Sequence, residues 1–442
     1  MASKRLGKDE ILATFFDEGA YTTLYAGGAV QAAYGCAGGQ PVYAVCQNGD
    51  ALCVKDIEKN IKVLETAVKT GNPVVTFYDS VGAKVEEGLD LMKANAALTA
   101  QIAKISGVVP QVAVVTGICG ASAALAAASA DVCIVAEGSQ LFFTAPFTSA
   151  AEGDKLAKAG SAEFAAKAGV AAVCAKDEAE SVALAAHVVT LLPGNNLTGP
   201  ALFDFDAPVE ALNLNKYSAE KAVAALADKD STLELFGAFG KNVYTALATV
   251  NGNAVGIVAT EAANLCHECV SKAARLVRLC DAFSIPVVTL VNSEGFVKSA
   301  SDDQAGGIRE AARLAGTYAD ATTAKIAVLT GKAVGPVYTA LANADLTIAV
   351  AGCTVAALDP QVAASVLYKE ELDASDNILA ATKAKAAQYA AEQCSAQAAL
   401  EAGAADFAVA AADVRGTLVA ALDMLASKRA QRLPKKHGNM AL

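Results

Sequence analysis

Two apolar rhythms alternate along the chain. Short continuous runs, PVYAVC (41–46), NPVVTFY (72–78), VAVV (112–115) and VCIVA (132–136), read as strands buried on both faces. Between them, apolar residues recur every three or four positions, the period of helices that pack on one face. Residues 53–70 place Ile57, Ile61, Leu64 and Val68 on one such face, and helices are also predicted over 86–106 and 177–192. Residues 8–24 read as a short helix and turn, and the strand at 41–46 follows a Gly38-Gly39 turn. The 177–192 helix stops at Leu192 before Pro193-Gly194-Asn195-Asn196, and 193–217 hold the Pro, Gly and Asn of a linker. After Pro146 comes a soft Ala/Gly/Lys stretch. Ala-rich helices are predicted to dominate 370–428, with Leu418, Leu422 and Leu425 spaced along 416–428. Strands alternating with helices predict an α/β architecture.

The pattern then repeats. DEGAYTTL (17–24) is answered by DKDSTLEL (228–235), and GGQPVYAV (38–45) by NGNAVGIV (251–258). NPVVTFYDS (72–80) is answered by IPVVTLVNS (285–293), VAVVTGICG (112–120) by IAVLTGKAV (326–334), and SADVCIVAEGSQLFFTAP (129–146) by NADLTIAVAGCTVAALDP (343–360). The later pairs keep a constant spacing of 213–214 residues, which two homologous halves explain. The expected domains are 1–205 and 214–442.

Residues 107–146 concentrate the candidate chemistry. They read as a strand (Val112–Val115), a tight Gly turn (Gly117–Gly120), a small-residue helix (Ala121–Ala128) and a second strand (Val132–Ala136). The turn sets the N–H groups of Ala121 and Ser122 at a helix start, where such groups lack internal acceptors and carry partial positive charge. A corner of this kind can hold charge developing on a thioester oxygen. It is equally the pattern of an ordinary buried strand–helix unit. The run Ile105–Ala130 has 26 residues without a formal charge, long enough to span a bilayer. Its Pro110, Gly and Ser/Ala content, and the Lys325 and Lys332 of its second copy, favour a core unit instead.

Composition narrows the chemistry. The 442 residues are 54% apolar and 18% charged, enough for a large core, and a net charge of −11 argues against nucleic-acid binding as a main role. The start, MASKRLGKDE, has no apolar core and reads as no secretory signal. Eleven Cys, an odd number scattered through apolar runs, fit reduced cytoplasmic thiols. The one short-spaced pair, Cys266-His267-Glu268-Cys269, has no second cluster to complete a zinc site, so no metal is expected. His187, His267 and His437 lie far apart, which leaves a nucleophile–His triad unsupported. No phosphate-binding Gly loop follows a strand. Glu86-Glu87 are candidate acid–base carboxylates or a solvated helix start. Catalysis by backbone donors at two helix starts remains.

Residues 270–276 (VSKAARL), continuing VRLCDAFSIPVVTLVNSEGF to Phe296, closely resemble the carboxyltransferase subunits of biotin-dependent acyl-CoA carboxylases and of the related sodium-pumping acyl-CoA decarboxylases. FYDSVGAKVEEGLD (77–90), SGVVPQVAVVTGICGASAALAAASAD (106–131) and the tail LPKKHGNM (433–440) carry the same resemblance, which covers nearly the whole chain. It implies a tandem crotonase-like (ClpP/crotonase) fold of two spiral domains, 1–205 on the CoA side and 214–442 on the biotin side. The implied reaction moves a carboxyl group between an acyl-CoA and biotin through a thioester enolate. By the same resemblance Ala121, Ser122, Gly335 and Val337 are the catalytic backbone donors. Ser80, Gly82, Ala83, Lys84, Gly117, Gly120, Gly295, Phe296, Lys332 and Tyr338 would bind substrate. The implied partners are a biotin carboxyl carrier protein, a biotin carboxylase or a membrane decarboxylase subunit, and further copies of the chain as a homodimer or hexamer. The family's site forms between subunits. The implied location is cytoplasmic, or peripheral at the inner face of a membrane.

The chain departs from the family pattern in places. Pro336, which has no N–H, stands where the second set of donors is expected. Lys84 replaces an Arg, Asn292 and Glu294 replace Asp and Pro, and the first half is shortened around 47–56 and after Pro146. No biotinylation motif is present, Met92-Lys93 being the nearest match, so biotin must come from a partner chain. Two other functions are expected alternatives: a diverged non-catalytic scaffold subunit, and a hydratase or isomerase of the wider crotonase superfamily using Glu86 and Glu87.

Overall fold

In the computed structural model, residues 5–145 and 159–439 are described; Pro146, most of the soft stretch that follows it, and Met440 of the tail fall outside them. Contacts divide the chain into two units, residues 1–201 with 236–239, and residues 202–235 with 240–442.

The first unit is built on a seven-stranded sheet in the spatial order Tyr21–Tyr25, Val30–Ala37, Gln40–Gln47, Val74–Tyr78, Gln111–Val115, Val132–Ala136, Val173–Ala175. The first three strands are antiparallel neighbours and the rest run parallel. Gly38 and Gly39 join Val30–Ala37 to Gln40–Gln47 with φ of 57° and 78°, the left-handed pair that a two-residue hairpin requires. Strands Val74–Tyr78, Gln111–Val115 and Val132–Ala136 are buried at every position, as continuous apolar runs in a parallel sheet should be. Helix Val54–Thr70 buries Ile57, Val63, Leu64 and Ala67 and keeps Ile61 and Val68 partly covered against the same core. Helices Gly88–Ile105 and Glu178–Leu191 complete the cover.

The second unit repeats the plan. Its seven strands order as Leu233–Glu234, Val243–Val250, Asn253–Thr260, Val287–Val291, Lys325–Leu329, Leu346–Val350, Phe407–Val409. The duplication reaches single hydrogen bonds. Asp131 Oδ2 accepts the Gln111 N–H and Asp345 Oδ2 accepts the Lys325 N–H, each at 2.8 Å.

The α/β duplication expected from the repeat is what the structure shows. Some local expectations are corrected. Residues 8–24 are the helix Lys8–Phe15, a turn and the edge strand Tyr21–Tyr25, and Val30–Ala37 is a strand that no apolar run announced. The Ala-rich end is mostly helical but contains the strand Phe407–Val409. Gly117–Gly120 is not simply a turn: Ile118–Gly120 is a short strand paired in parallel with Gln140–Phe142.

Candidate functional site

Each unit carries a corner where a short strand leads into a short helix. In the first, Thr116 and Gly117 both donate their N–H to the Tyr78 carbonyl, turning the chain off the main sheet. Ile118–Gly120 then pairs with Gln140–Phe142, and helix Ser122–Ala128 follows with Ala121 as its N-cap. In the second, Thr330 and Gly331 share the Val291 carbonyl, Lys332–Val334 pairs with Thr354–Ala356, and Gly335 caps helix Pro336–Leu341.

Asp79 and Asn292 fasten these corners. Asp79 Oδ1 accepts the Ile118 N–H at 3.1 Å, and Asn292 Oδ1 accepts the Lys332 N–H at 3.2 Å. Glycine is required beside each: a Cβ at Gly117 would lie 2.0 Å from Asp79 Oδ1, and one at Gly331 2.1 Å from Asn292 Oδ1. The sequence marks Asn292 only as a departure from the family pattern, and neither residue is expected there as an anchor. The signal was their shared place in the repeat, directly before Ser80 and Ser293.

The N-cap residues carry the decisive geometry. Ala121 has φ 53° and ψ −121°, and Gly335 has φ 51° and ψ −120°. This conformation aims the N-cap N–H back at the paired strand. The Ala121 N–H donates to the Phe142 carbonyl at 3.0 Å, and the Gly335 N–H to the Ala356 carbonyl at 2.8 Å. Ala121 and Gly335 were expected as donors to substrate, but their N–H groups are spent inside the fold. The next N–H groups face outward. Ser122 and Ala123, the first two residues of their helix, have no acceptor among the described residues, as the first turn of a helix dictates. At the second corner the first helical residue is Pro336, with no N–H, so the N–H groups without an acceptor among the described residues are those of Val337 and Tyr338. The first corner thus offers donors directly after its N-cap, and the second only from one residue further on.

The other expected residues divide. In the first unit Ser80 donates its N–H to the Ile118 carbonyl, which sets it beside Gly117, while its buried hydroxyl bonds the Asp50 carbonyl and the Gly82 N–H. Gly82, Ala83 and Lys84 are exposed, and Ala83 and Lys84 are tied to Leu52 through their backbone. Gly120 must stay small because a Cβ there would meet the Phe142 ring at 2.8 Å. In the second unit Gly295 and Phe296 lie on Ser293–Phe296, paired with Ala263–Leu265. The Lys332 ammonium pairs with Glu294 at 2.6 Å, and the Tyr338 hydroxyl donates to the Ala404 carbonyl at 2.8 Å, so both side chains are engaged within the fold.

Several acid–base and nucleophilic candidates are engaged within the fold or buried. Glu87 accepts the Val54 N–H at the start of helix Val54–Thr70. Burial pushes the Cys119 thiol up, which makes it inert in the corner strand. His267 bonds Asp302 at 2.6 Å in the second unit, and burial pushes the His187 imidazole down. Among the described residues no group of three or more His, Cys, Asp or Glu is placed to hold a metal ion, and no helix is long and apolar enough to cross a membrane.

Comparisons with known proteins bear on the family and the fold. The carboxyl transferase domain family matches residues 9–440. The alpha subunit of methylmalonyl-CoA decarboxylase from Veillonella parvula is 31% identical over 444 residues, spanning 94% of this chain and 86% of the relative. The 12S subunit of methylmalonyl-CoA carboxyltransferase from Propionibacterium freudenreichii subsp. shermanii is 32% identical over 429 residues, spanning 91% and 82%. A solved structure, the transcarboxylase 12S hexamer with methylmalonyl-CoA and methylmalonic acid bound, superposes with a TM-score of 0.93 at 28% identity. The match covers 99% of this chain and 92% of that one.

Proposed function

The chain belongs to the carboxyl transferase family, and from that membership we propose that it moves a carboxyl group between an acyl-CoA and a biotin borne on a separate carrier protein. Both units carry the crotonase-type spiral of this family. The observation that carries the reading is the pair of adjacent N–H groups at Ser122 and Ala123 that have no acceptor among the described residues. A malonyl-type CoA, of which methylmalonyl-CoA is the form named for the relatives, would place its thioester oxygen on them. When the carboxyl group leaves the α-carbon, the electron pair left behind delocalises into the thioester, and the negative charge settles on that oxygen. Two fixed donors at a helix start stabilise this charge without reorganising. No side-chain base is needed, which suits a corner whose Cys119 is inert.

The second corner fits a carbonyl oxygen one residue further along its helix, at the Val337 N–H with the Tyr338 N–H beside it, because Pro336 contributes none and the Gly335 N–H is occupied. Bound there, biotin supplies the ureido nitrogen that takes or gives the carboxyl group. Val337 would orient it through its carbonyl. The first domain is therefore the CoA side and the second the biotin side. The proposed partners are a biotin carboxyl carrier protein, a biotin carboxylase or membrane decarboxylase subunit, and further copies of this chain, in a cytoplasmic or inner-membrane-peripheral complex. Pro336 favours a second reading, a scaffold subunit that binds such partners without turnover.

The test incubates the full chain with free biotin and malonyl-, methylmalonyl- or glutaconyl-CoA labelled in the carboxyl group. Label passing to biotin is expected with one of them. Absence of transfer from all three, with stable capture of a biotinylated carrier, would overturn the enzymatic reading in favour of the scaffold.

A further inference from the structure

The second unit holds two thiols that carboxyl transfer does not use. Cys266 is the N-cap of the sixteen-residue helix His267–Ala282, and Cys269 lies three residues on. N-cap and third-position side chains meet over the first turn of a helix. Here their Sγ atoms lie 3.0 Å apart. Cys266 is partly exposed, whereas Cys269 is buried beneath it. The Cys269 thiol and the N–H groups of Cys269 and Glu268 all face the Cys266 sulfur, which together bring that thiol down to about 6. Cys269 is pushed up in turn, first by its bond to Cys266 and then by burial. One turn along, burial brings the Lys272 ammonium down to about 8, and this amine interacts with Cys269 and Glu234. The neighbouring His267 is turned to Asp302.

We propose that Cys266 and Cys269 are a redox-active dithiol site that a low-molecular-weight disulfide oxidises to an intramolecular disulfide. The Cys266 thiolate attacks one sulfur of the small disulfide. That S–S bond breaks, a mixed disulfide forms on Cys266, and one small thiolate leaves and takes a proton. Cys269, whose Sγ lies against Cys266, supplies that proton. The Cys269 thiolate attacks Cys266 Sγ and displaces the second small thiolate, which is protonated in its turn. Two protein thiols are oxidised and one small disulfide is reduced to two thiols, so electrons and protons balance. The partly exposed member is the attacking one and the buried member resolves it, an order set by access.

The test treats the full chain at neutral pH with oxidised glutathione, blocks remaining thiols by alkylation and maps peptides by mass spectrometry. The wild type should show a Cys266–Cys269 disulfide that dithiothreitol reverses. Cys269→Ser should stop at a stable glutathione adduct on Cys266, and Cys266→Ser should leave Cys269 reduced. Recovery of Cys266 fully reduced from the wild type, or an adduct on Cys266 that Cys269 never resolves, would overturn the proposal. Iodoacetamide gives a second readout on the unmutated chain. From pH 7 to 8 the labelling rate of Cys266 should change by less than about twofold, where an ordinary exposed thiol gains roughly eightfold. An ordinary profile at Cys266 would count equally against it.

Discussion

Ala121 and Gly335, 214 residues apart in sequence, hold one backbone conformation, φ 53° with ψ −121° and φ 51° with ψ −120°. Glycine adopts it freely, while an alanine held there costs about 1–3 kcal/mol. Ala121→Gly should therefore stabilise the first unit by roughly 0.5–2 kcal/mol after the added entropy of the unfolded chain is subtracted. Gly335→Ala should destabilise by at least about 1–3 kcal/mol, since its Cβ also meets the Ala357 carbonyl at 2.9 Å. Urea titration of both variants reads the two signs.

Replacing Ser122 by proline removes one of the two outward donors at the first corner. Gly335-Pro336 already shows that this backbone accepts proline at the matching place, so the double change Ala121→Gly with Ser122→Pro copies a sequence the fold tolerates. Carboxyl transfer should drop by roughly 10²–10³ in kcat with the melting curve preserved. Unchanged turnover in a folded variant would remove Ser122 from the donor set.

Pro336→Ser is the converse experiment. It restores an N–H beside Val337, at the place that Ser122 holds in the first corner. Transfer to free biotin should rise by about tenfold or more where the biotin-side step limits the rate. A rate unmoved by the substitution, with acyl-CoA loss also unmoved, would show that the second corner needs no donor at position 336.

His267 provides a pH signature. Its hydrogen bond to Asp302 raises the imidazole above its ordinary value. A raised folded value means that its contribution is present at pH below the unfolded value, about 6.5, and is lost as pH rises through the folded one. His267→Gln should therefore cost more stability near pH 5.5 than near pH 8.5. Urea midpoints of wild type and variant at the two pH values check this, and a gap that does not depend on pH would contradict it.

Much of the scaffold was legible in the sequence. The fully buried strand Val132–Ala136 was placed to the residue, and the helix read over 53–70 is Val54–Thr70. Continuous apolar runs and a 3.6-residue period carry enough signal for that. Val30–Ala37 escaped because its Ala, Gly and Gln content has little strand preference and no clean alternation. Three-residue strands such as Ile118–Gly120 are too short for any period to register. The corner N–H groups left without acceptors among the described residues lie within one residue of those expected. Which N–H points outward is decided by the positive φ at the N-cap, and alanine at 121 gives no hint of it. The missing donor at Pro336 was readable directly, because it is a property of the residue itself. Roles inferred from resemblance for Ser80, Lys332 and Tyr338 carried positions but not partners, and their polar groups bond within the fold.

The paired anchors Asp79–Gly117 and Asn292–Gly331 hold the two corners by matching bonds. A cassette exchanged between halves must carry its paired short strand along with the corner and helix, because Val334 stands where Gly120 faces the Phe142 ring. Such chimeras would separate what a corner does by its own donors from what it does by its address in the chain. One polypeptide thereby carries its own matched control.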